Sequence, residues 1–280
     1  MYSEMKNRKA LFFDIDGTLF SNKLRQVPQS AVLALKKARK QGNLVFINTG
    51  RTWCQTEEIR QAVETDGLCC GCGTYLTGIA PEQMEQSDRG ERQEIFYDWR
   101  LLPQRMDEIR TALEEHCLDA VLEGVDGCWM APGGPRTTAM RRIKEVLREG
   151  GSLASSDWRD PDCSFSKFCI AVEEGGCPKD FFDAVSDFEV IDRGAGFYEC
   201  VPQGHSKATA IEQVRLRYGI AKKDVWVFGD STNDMAMFRY AENAVLMGAH
   251  DKELEPYATF LTKEVEEDGI YWAMEQLGLL

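Results

Sequence analysis

The sequence predicts an α/β protein, a Rossmann-like core on a parallel sheet with an α+β domain inserted into it. Three observations carry that prediction. Apolar runs of strand length alternate with helical stretches near both ends of the chain, the pattern of a sheet buried on both faces. Several of these runs stop abruptly at acidic or glycine-containing loops. In the middle of the chain the alternation gives way to hairpin signals mixed with helices. The core is therefore expected over residues 1–77 and 196–280, and the insertion over 78–195.

The first expected strand, residues 10–15, runs into Asp14-Ile15-Asp16-Gly17-Thr18. Two carboxylates beside a buried strand are costly without a cation or strong donors, so packing alone does not account for them. A helix follows from Gln29 or Ser30 to Gly42, with Val32, Leu33, Leu35 and Ala38 on its apolar face. Lys36, Lys37, Arg39 and Lys40 crowd its C-terminal end, where cations are favoured. Residues 44–47 give the second strand, which ends in Asn48-Thr49-Gly50-Arg51. Strand, helix, strand implies a parallel pair with a right-handed crossover, so the Asp14 and Thr49 loops emerge at one edge.

Residues 52–63 read as another helix and 68–70 as a third strand. Beyond these the pattern is strands at 75–79 and 93–97, a helix at 104–116, and strands at 119–122 and 128–130 flanking the Asp126-Gly127 turn. A helix at 137–148, a strand at 166–172, a helix at 179–186 and a strand at 188–191 follow. After a strand at 197–201, a helix starts near Ser206 with Lys207 in its first turn. The strand at 224–228 ends in Gly229-Asp230-Ser231-Thr232-Asn233-Asp234, ahead of a helix containing Met235 and Met237. Strands at 244–247 and 257–261 and a helix at 269–277 close the chain.

Composition narrows the function classes. The formal charge of −13 argues against nucleic acid or an anionic membrane as the main partner, since both call for a basic footprint. No apolar stretch is long enough to span a bilayer, and the first nine residues lack an apolar signal region, so a cytoplasmic location is expected. The ten cysteines are scattered, and the cluster Cys69, Cys70 and Cys72 has no second close-spaced Cys or His pair to complete a zinc set. Reduced thiols are expected.

If Asp14, Asp16, Asp230 and Asp234 meet at one sheet edge, they repel unless a hard cation neutralises them. Mg2+ suits an oxygen-only set that leaves room for water and a substrate phosphate, and these loops hold no His or Cys to favour zinc. A lysine at a helix start is electrostatically odd, because that end favours anions. Lys207 makes sense there if it and the nearby amides face a phosphate. Thr49 and Gly50 offer a hydroxyl and an amide for the remaining phosphate oxygens.

These four segments, 14–18, 48–51, 202–207 and 229–234, resemble in order the motifs of haloacid dehalogenase superfamily phosphatases, more narrowly the Cof-type group with a type IIB cap. The resemblance implies Asp14 as the nucleophile, Asp16 as general acid and then base, Thr49 as a phosphoryl contact and Lys207 as the charge that steadies both nucleophile and phosphate. It implies a Mg2+ site from Asp14, Asp230 and the backbone carbonyl of Asp16. Asp234 would brace that site or Lys207, with Asn233 and Gly50 near the phosphate. In such enzymes the insertion closes over the site and selects the substrate, a role for which Arg51 and Lys167 are the expected contacts.

Two positions depart from the family pattern. Cys72-Gly73-Thr74 stands where relatives usually show Asn-Gly-Ala, and Met247-Gly248-Ala249-His250 where they commonly show Met-Gly-Asn-Ala. Losing both amide side chains leaves the phosphoryl chemistry intact and changes how a leaving group is held, with His250 a replacement contact. The implied reaction is hydrolysis of a small phosphate monoester, a sugar phosphate or a phosphorylated cofactor. A phosphomutase or phosphotransferase would share the aspartyl-phosphate step. A phosphometabolite-binding regulator would have no need of Asp16.

Overall fold

The computed structural model describes residues 8–84, 93–172 and 178–280, which fall into two compact units. In chain order the strands are β1 (Ala10–Phe13), β2 (Leu44–Asn48), β3 (Gly67–Cys70), β4 (Tyr75–Ile79), β5 (Gln93–Asp98), β6 (Asp119–Glu123), β7 (Cys128–Met130), β8 (Lys167–Ala171), β9 (Phe188–Asp192), β10 (Phe197–Pro202), β11 (Val225–Gly229), β12 (Asn243–Leu246) and β13 (Phe260–Leu261). The helices are α1 (Gln29–Lys40), α2 (Glu57–Ala62), α3 (Pro103–Glu115), α4 (Thr138–Glu149), α5 (Lys179–Ala184), α6 (Lys207–Arg217), α7 (Met235–Tyr240) and α8 (Gly269–Gln276).

The first unit comprises residues 1–50, 59–97 and 206–280, and its sheet runs β13-β12-β11-β1-β2-β3-β4-β5. From β13 to β3 every neighbouring pair is parallel, while β4 runs antiparallel to β3. The central strand β1 is wholly buried and lies between β11 and β2. Its register is fixed on both faces. Phe12 stacks on Phe46 of β2 with ring centroids 5.3 Å apart, and Phe13 stacks on Phe228 of β11 at 4.4 Å. Successive side chains point to opposite faces, so a one-residue slip of β1 would lose both stacks. On the face that carries Phe12 and Phe46, α6 contributes Ala210, Ile211 and Val214, and Tyr218 just beyond its end joins them, in one apolar cluster.

The second unit comprises residues 51–58 and 98–205. Its sheet runs β7-β6-β8-β10-β9, and each of its neighbouring pairs is antiparallel. Ile109 and Leu113 of α3, Phe181 of α5 and Phe165, Phe168 and Phe188 belong to one core cluster.

The boundaries differ from the 78–195 expected of the insertion. Strands β4 and β5 extend the first sheet, so the second unit resumes only at Asp98, and β10 pairs with β8 and β9, which carries that unit to His205. Residues 52–63 are also not one helix. Gln55 Oε1 accepts from the Thr52 backbone N–H at 2.7 Å and from Thr52 Oγ1 at 2.9 Å, closing a separate 3-10 turn over Trp53–Gln55 before α2 begins. Segment 51–58, which holds that turn, groups with the second unit. Among the described residues no helix is long and apolar enough to cross a membrane.

Candidate active site

Asp14 is the first residue beyond β1, and its N–H donates to Phe228 O at 3.0 Å, continuing the parallel ladder by one residue. Its side chain is buried. The chain then turns at Gly17, where φ is +78° and an added Cβ would fall 2.4 Å from Asp230 Oδ2. Glycine is needed there for the left-handed backbone and for the close approach. Thr18 Oγ1 next donates to Asp230 Oδ1 at 2.8 Å, tying the loop after β1 to the loop after β11. Gly17→Ala is expected to cost about 1–3 kcal/mol of stability through backbone strain and displacement of Asp230. Urea denaturation checks this, and an unchanged midpoint would refute it.

Lys207 is placed by the start of α6. Ser206 Oγ accepts from Thr209 N at 3.1 Å and Thr209 Oγ1 accepts from Ser206 N at 2.8 Å, so the first turn is capped from both sides. Asn48 Nδ2 at the end of β2 donates to Lys207 O at 2.9 Å. So held, the Lys207 ammonium reaches Asp14 Oδ1 at 2.6 Å and Asp234 Oδ1 at 2.5 Å, with all three side chains buried. The second oxygen of Asp234 accepts from the backbone N–H groups of Asp230 at 2.9 Å and Ser231 at 3.3 Å. Gly229 permits this, since a Cβ there would lie 2.4 Å from Asp234 Oδ2.

One cation among these carboxylates leaves a surplus of negative charge. Burial, reinforced by Asp234 and Asp16 and opposed by Lys207, pushes the Asp14 carboxyl up to about 7. Burial together with Asp234 and Asp14 pushes Asp230 up to about 8, against the Thr18 hydrogen bond and Lys207. Burial alone would lower the Lys207 ammonium, but its two carboxylate partners hold it well above its ordinary value. One oxygen from each of Asp14, Asp230 and Asp234 lies within 4.8 Å of the others, a spacing that fits a metal ion. The donor set suits a hard divalent cation. Asp234 has both oxygens engaged by protein donors, whereas Lys207 takes one oxygen of Asp14 and Thr18 one of Asp230, which leaves an oxygen on each of these two for the ion.

The other expected residues divide. Asp16 is half-buried and close enough to act on the Asp14 carboxyl. Thr49 is buried at the end of β2, its N–H donating to Cys69 O at 2.9 Å and its carbonyl accepting from Cys72 N at 3.0 Å, with the half-buried Gly50 next to it in the chain. Asn233 Oδ1 accepts from Ser231 Oγ at 2.8 Å within the loop after β11. Arg51 lies in the second unit, where Nη1 donates to Gln55 O at 3.4 Å. Lys167 is buried in the second unit, with Nζ 2.8 Å from both Glu123 and Glu199. His250 has both ring nitrogens within reach of neighbours, Nδ1 at 2.6 Å from Met247 O and Nε2 at 3.3 Å from Glu255 Oε1.

Sequence reasoning assigned no role to Thr18, Asn48, Glu123 or Glu199. Thr18 carried a signal, being a hydroxyl directly after the acidic turn. Asn48 carried a weaker one, an amide closing an otherwise apolar strand. The two glutamates carried none, because their pairing with Lys167 depends on the order of β6, β8 and β10 in the sheet.

The site and fold define a class of enzyme. Residues 11–274 match the family described as haloacid dehalogenase-like hydrolase. The chain is 27% identical to the putative phosphatase YkrA of Bacillus subtilis, over 97% of this chain and 98% of that one. It is 42% identical to a putative bifunctional phosphatase/peptidyl-prolyl cis-trans isomerase of Streptococcus pyogenes, over 98% of this chain and 55% of that protein. The solved subclass IIB sugar phosphatase BT4131 shares the fold with a TM-score of 0.77 at 23% identity, covering 97% of this chain and 100% of that one. The chain belongs to the haloacid dehalogenase-like hydrolases, as a phosphatase of their Cof-type group.

Proposed function

We propose that this phosphatase hydrolyses a small phosphate monoester through an aspartyl-phosphate on Asp14, with Mg2+ held by Asp14, Asp230 and the Asp16 backbone carbonyl. The observation that carries the reading is the buried bridge from Lys207 to Asp14 and Asp234. Unlike the Lys167 bridge inside the second unit, this one stands at the loops after β1 and β11, where Asp14 and Asp230 each keep an oxygen for a cation. A nucleophile that receives a dianionic phosphoryl group needs that fixed positive charge beside it.

Asp14 attacks phosphorus with a carboxylate oxygen, and the phosphorus–oxygen bond to the leaving group breaks as the new one forms. Lys207, fixed by Asp234 and by the capped turn of α6, holds positive charge against Asp14 and the incoming oxygens. Mg2+ held by Asp14 and Asp230 would supply the remaining charge neutralisation. Asp16 gives a proton to the departing alkoxide and then takes one from the water that releases phosphate. Thr49 and Gly50 contact the phosphoryl oxygens, with Asn233 beside them. Arg51 is retained as a leaving-group contact. Lys167 and His250, whose polar atoms are taken up by neighbours, are assigned to holding their own segments. Choice of leaving group is assigned to the second unit on the family resemblance alone.

Purified protein is expected to hydrolyse p-nitrophenyl phosphate with Mg2+ and to lose that turnover in excess EDTA, with Mg2+ restoring it. Turnover indifferent to EDTA would refute the metal assignment. Asp16→Asn is expected to slow alkyl phosphates by roughly 10²–10⁴-fold and the aryl phosphate much less, because a good leaving group needs little protonation. Equal losses on both substrates would remove Asp16 from the acid role.

A further inference from the structure

The second unit buries a polar cluster that the phosphoryl chemistry does not use. Lys167 sits between Glu123 and Glu199, and Glu123 also accepts from Gln55 Nε2 at 3.1 Å and Cys169 Sγ at 3.3 Å. Gln55 belongs to segment 51–58, which directly follows Gly50 in the chain. Its neighbour Cys54 is half-buried, donates from Sγ to Gly124 O at 3.4 Å, and lies 3.9 Å from Cys128 Sγ. Cys128, at the start of β7, is buried, and its backbone is pinned by Ser152 O and Ala154 N, each at 2.9 Å.

We propose that Cys54 and Cys128 are a reversible dithiol–disulfide site, oxidised by hydrogen peroxide, that fastens segment 51–58 covalently to the β6–β7 hairpin. An S–S bond is about 2.0 Å, so the two sulfurs close a gap of about 2 Å, Cys54 from a half-buried 3-10 turn. Their roles are unequal. Cys54 is the thiol that solvent reaches, and hydrogen bonds from Cys128 and Thr52 hold it below its ordinary value. The hydrogen bond with Cys54 and burial push the Cys128 thiol well up, so it stays protonated and is not the thiol that peroxide meets first.

In the first step the Cys54 thiolate attacks one peroxide oxygen and the O–O bond breaks. The displaced hydroxide takes the proton released by Cys54 and leaves as water, with Cys54 as a sulfenic acid. In the second step Cys128 attacks the sulfenic sulfur, the S–O bond breaks, and the hydroxyl departs with the Cys128 proton as a second water. Two thiols and one peroxide thus give one disulfide and two waters, the sulfurs losing the two electrons that the peroxide gains. Reduction by an external dithiol reverses it.

The test treats the full reduced chain with hydrogen peroxide and maps its peptides without reductant. The expected result is a Cys54–Cys128 linked peptide that disappears with dithiothreitol, and an unfolding midpoint raised by several degrees in the oxidised protein, since the bond joins residues 74 apart in sequence. Cys128→Ser is expected to stop at the Cys54 sulfenic acid, trapped by dimedone. Cys54→Ser is expected to give neither product. A Cys54 linked to a different cysteine, or a Cys54 sulfenic acid that persists in the unaltered chain without closing onto Cys128, would overturn the proposal. So would two unmodified thiols under peroxide sufficient to oxidise an exposed cysteine such as Cys117.

Discussion

Asp14→Asn is expected to abolish turnover of the aryl phosphate, by on the order of 10⁴-fold or more, as removal of a nucleophile does elsewhere. The amide is nearly the same shape as the carboxylate and keeps a carbonyl oxygen for the Lys207 ammonium, now 2.6 Å from Asp14 Oδ1. The fold should therefore survive. Stability is expected to hold or rise slightly, because the substitution removes one of the like charges that crowd this edge and burial already disfavours the Asp14 carboxylate. Steady-state kinetics and a denaturation curve on the same preparation separate the two effects. A variant that folds and still turns over at the unaltered rate with Mg2+ would rule out Asp14 as nucleophile.

Lys207→Met is expected to fail differently. The methionine fills much of the space and carries no charge, so Asp14 and Asp234 are left buried beside each other. Breaking a buried pair in this way costs about 3–5 kcal/mol, and the lower end applies here because Asp14 readily takes up a proton. Activity should fall with stability. Adding Asp234→Asn to Lys207→Met should recover part of the stability and none of the activity, because the double variant removes the repulsion without restoring the charge that faces phosphate. Recovery of activity would place the lysine in a purely structural role.

How much of this was legible in the chain follows from what each feature depends on. The strands that carry Asp14, Asn48 and Gly229 were readable because burial on both faces makes them uninterrupted apolar runs, and their polar endings stand out against those runs. Parallel connection then implies that the loops share an edge. The boundary of the second unit was not readable, because β4 and β10 look alike as isolated stretches and only their hydrogen-bonding partners assign them to different sheets. Lys167 illustrates the same limit at the level of one side chain. A lysine in an apolar strand suggests a function, and its pairing with Glu123 and Glu199 comes from strands that lie well apart in the sequence. Asp234 is the opposite case, since the resemblance of segment 229–234 to the family motif already implied a brace there.

The distances along the chain between partners at the site bear on how the protein is made. Lys207 meets Asp14 across 193 residues and Thr18 meets Asp230 across 212. Residues 98–205, nearly all of the second unit, lie between them. During synthesis β1 therefore emerges first and waits without β11, its neighbour in the finished sheet, for roughly 10–40 s at ordinary elongation rates. The intervening unit, whose strands pair only with one another, has everything it needs to fold during that wait. An apolar strand with an unpaired edge is a template for aggregation. Expression should accordingly be most sensitive to changes that slow synthesis between residues 98 and 230, a cost imposed by threading one sheet through both ends of the chain.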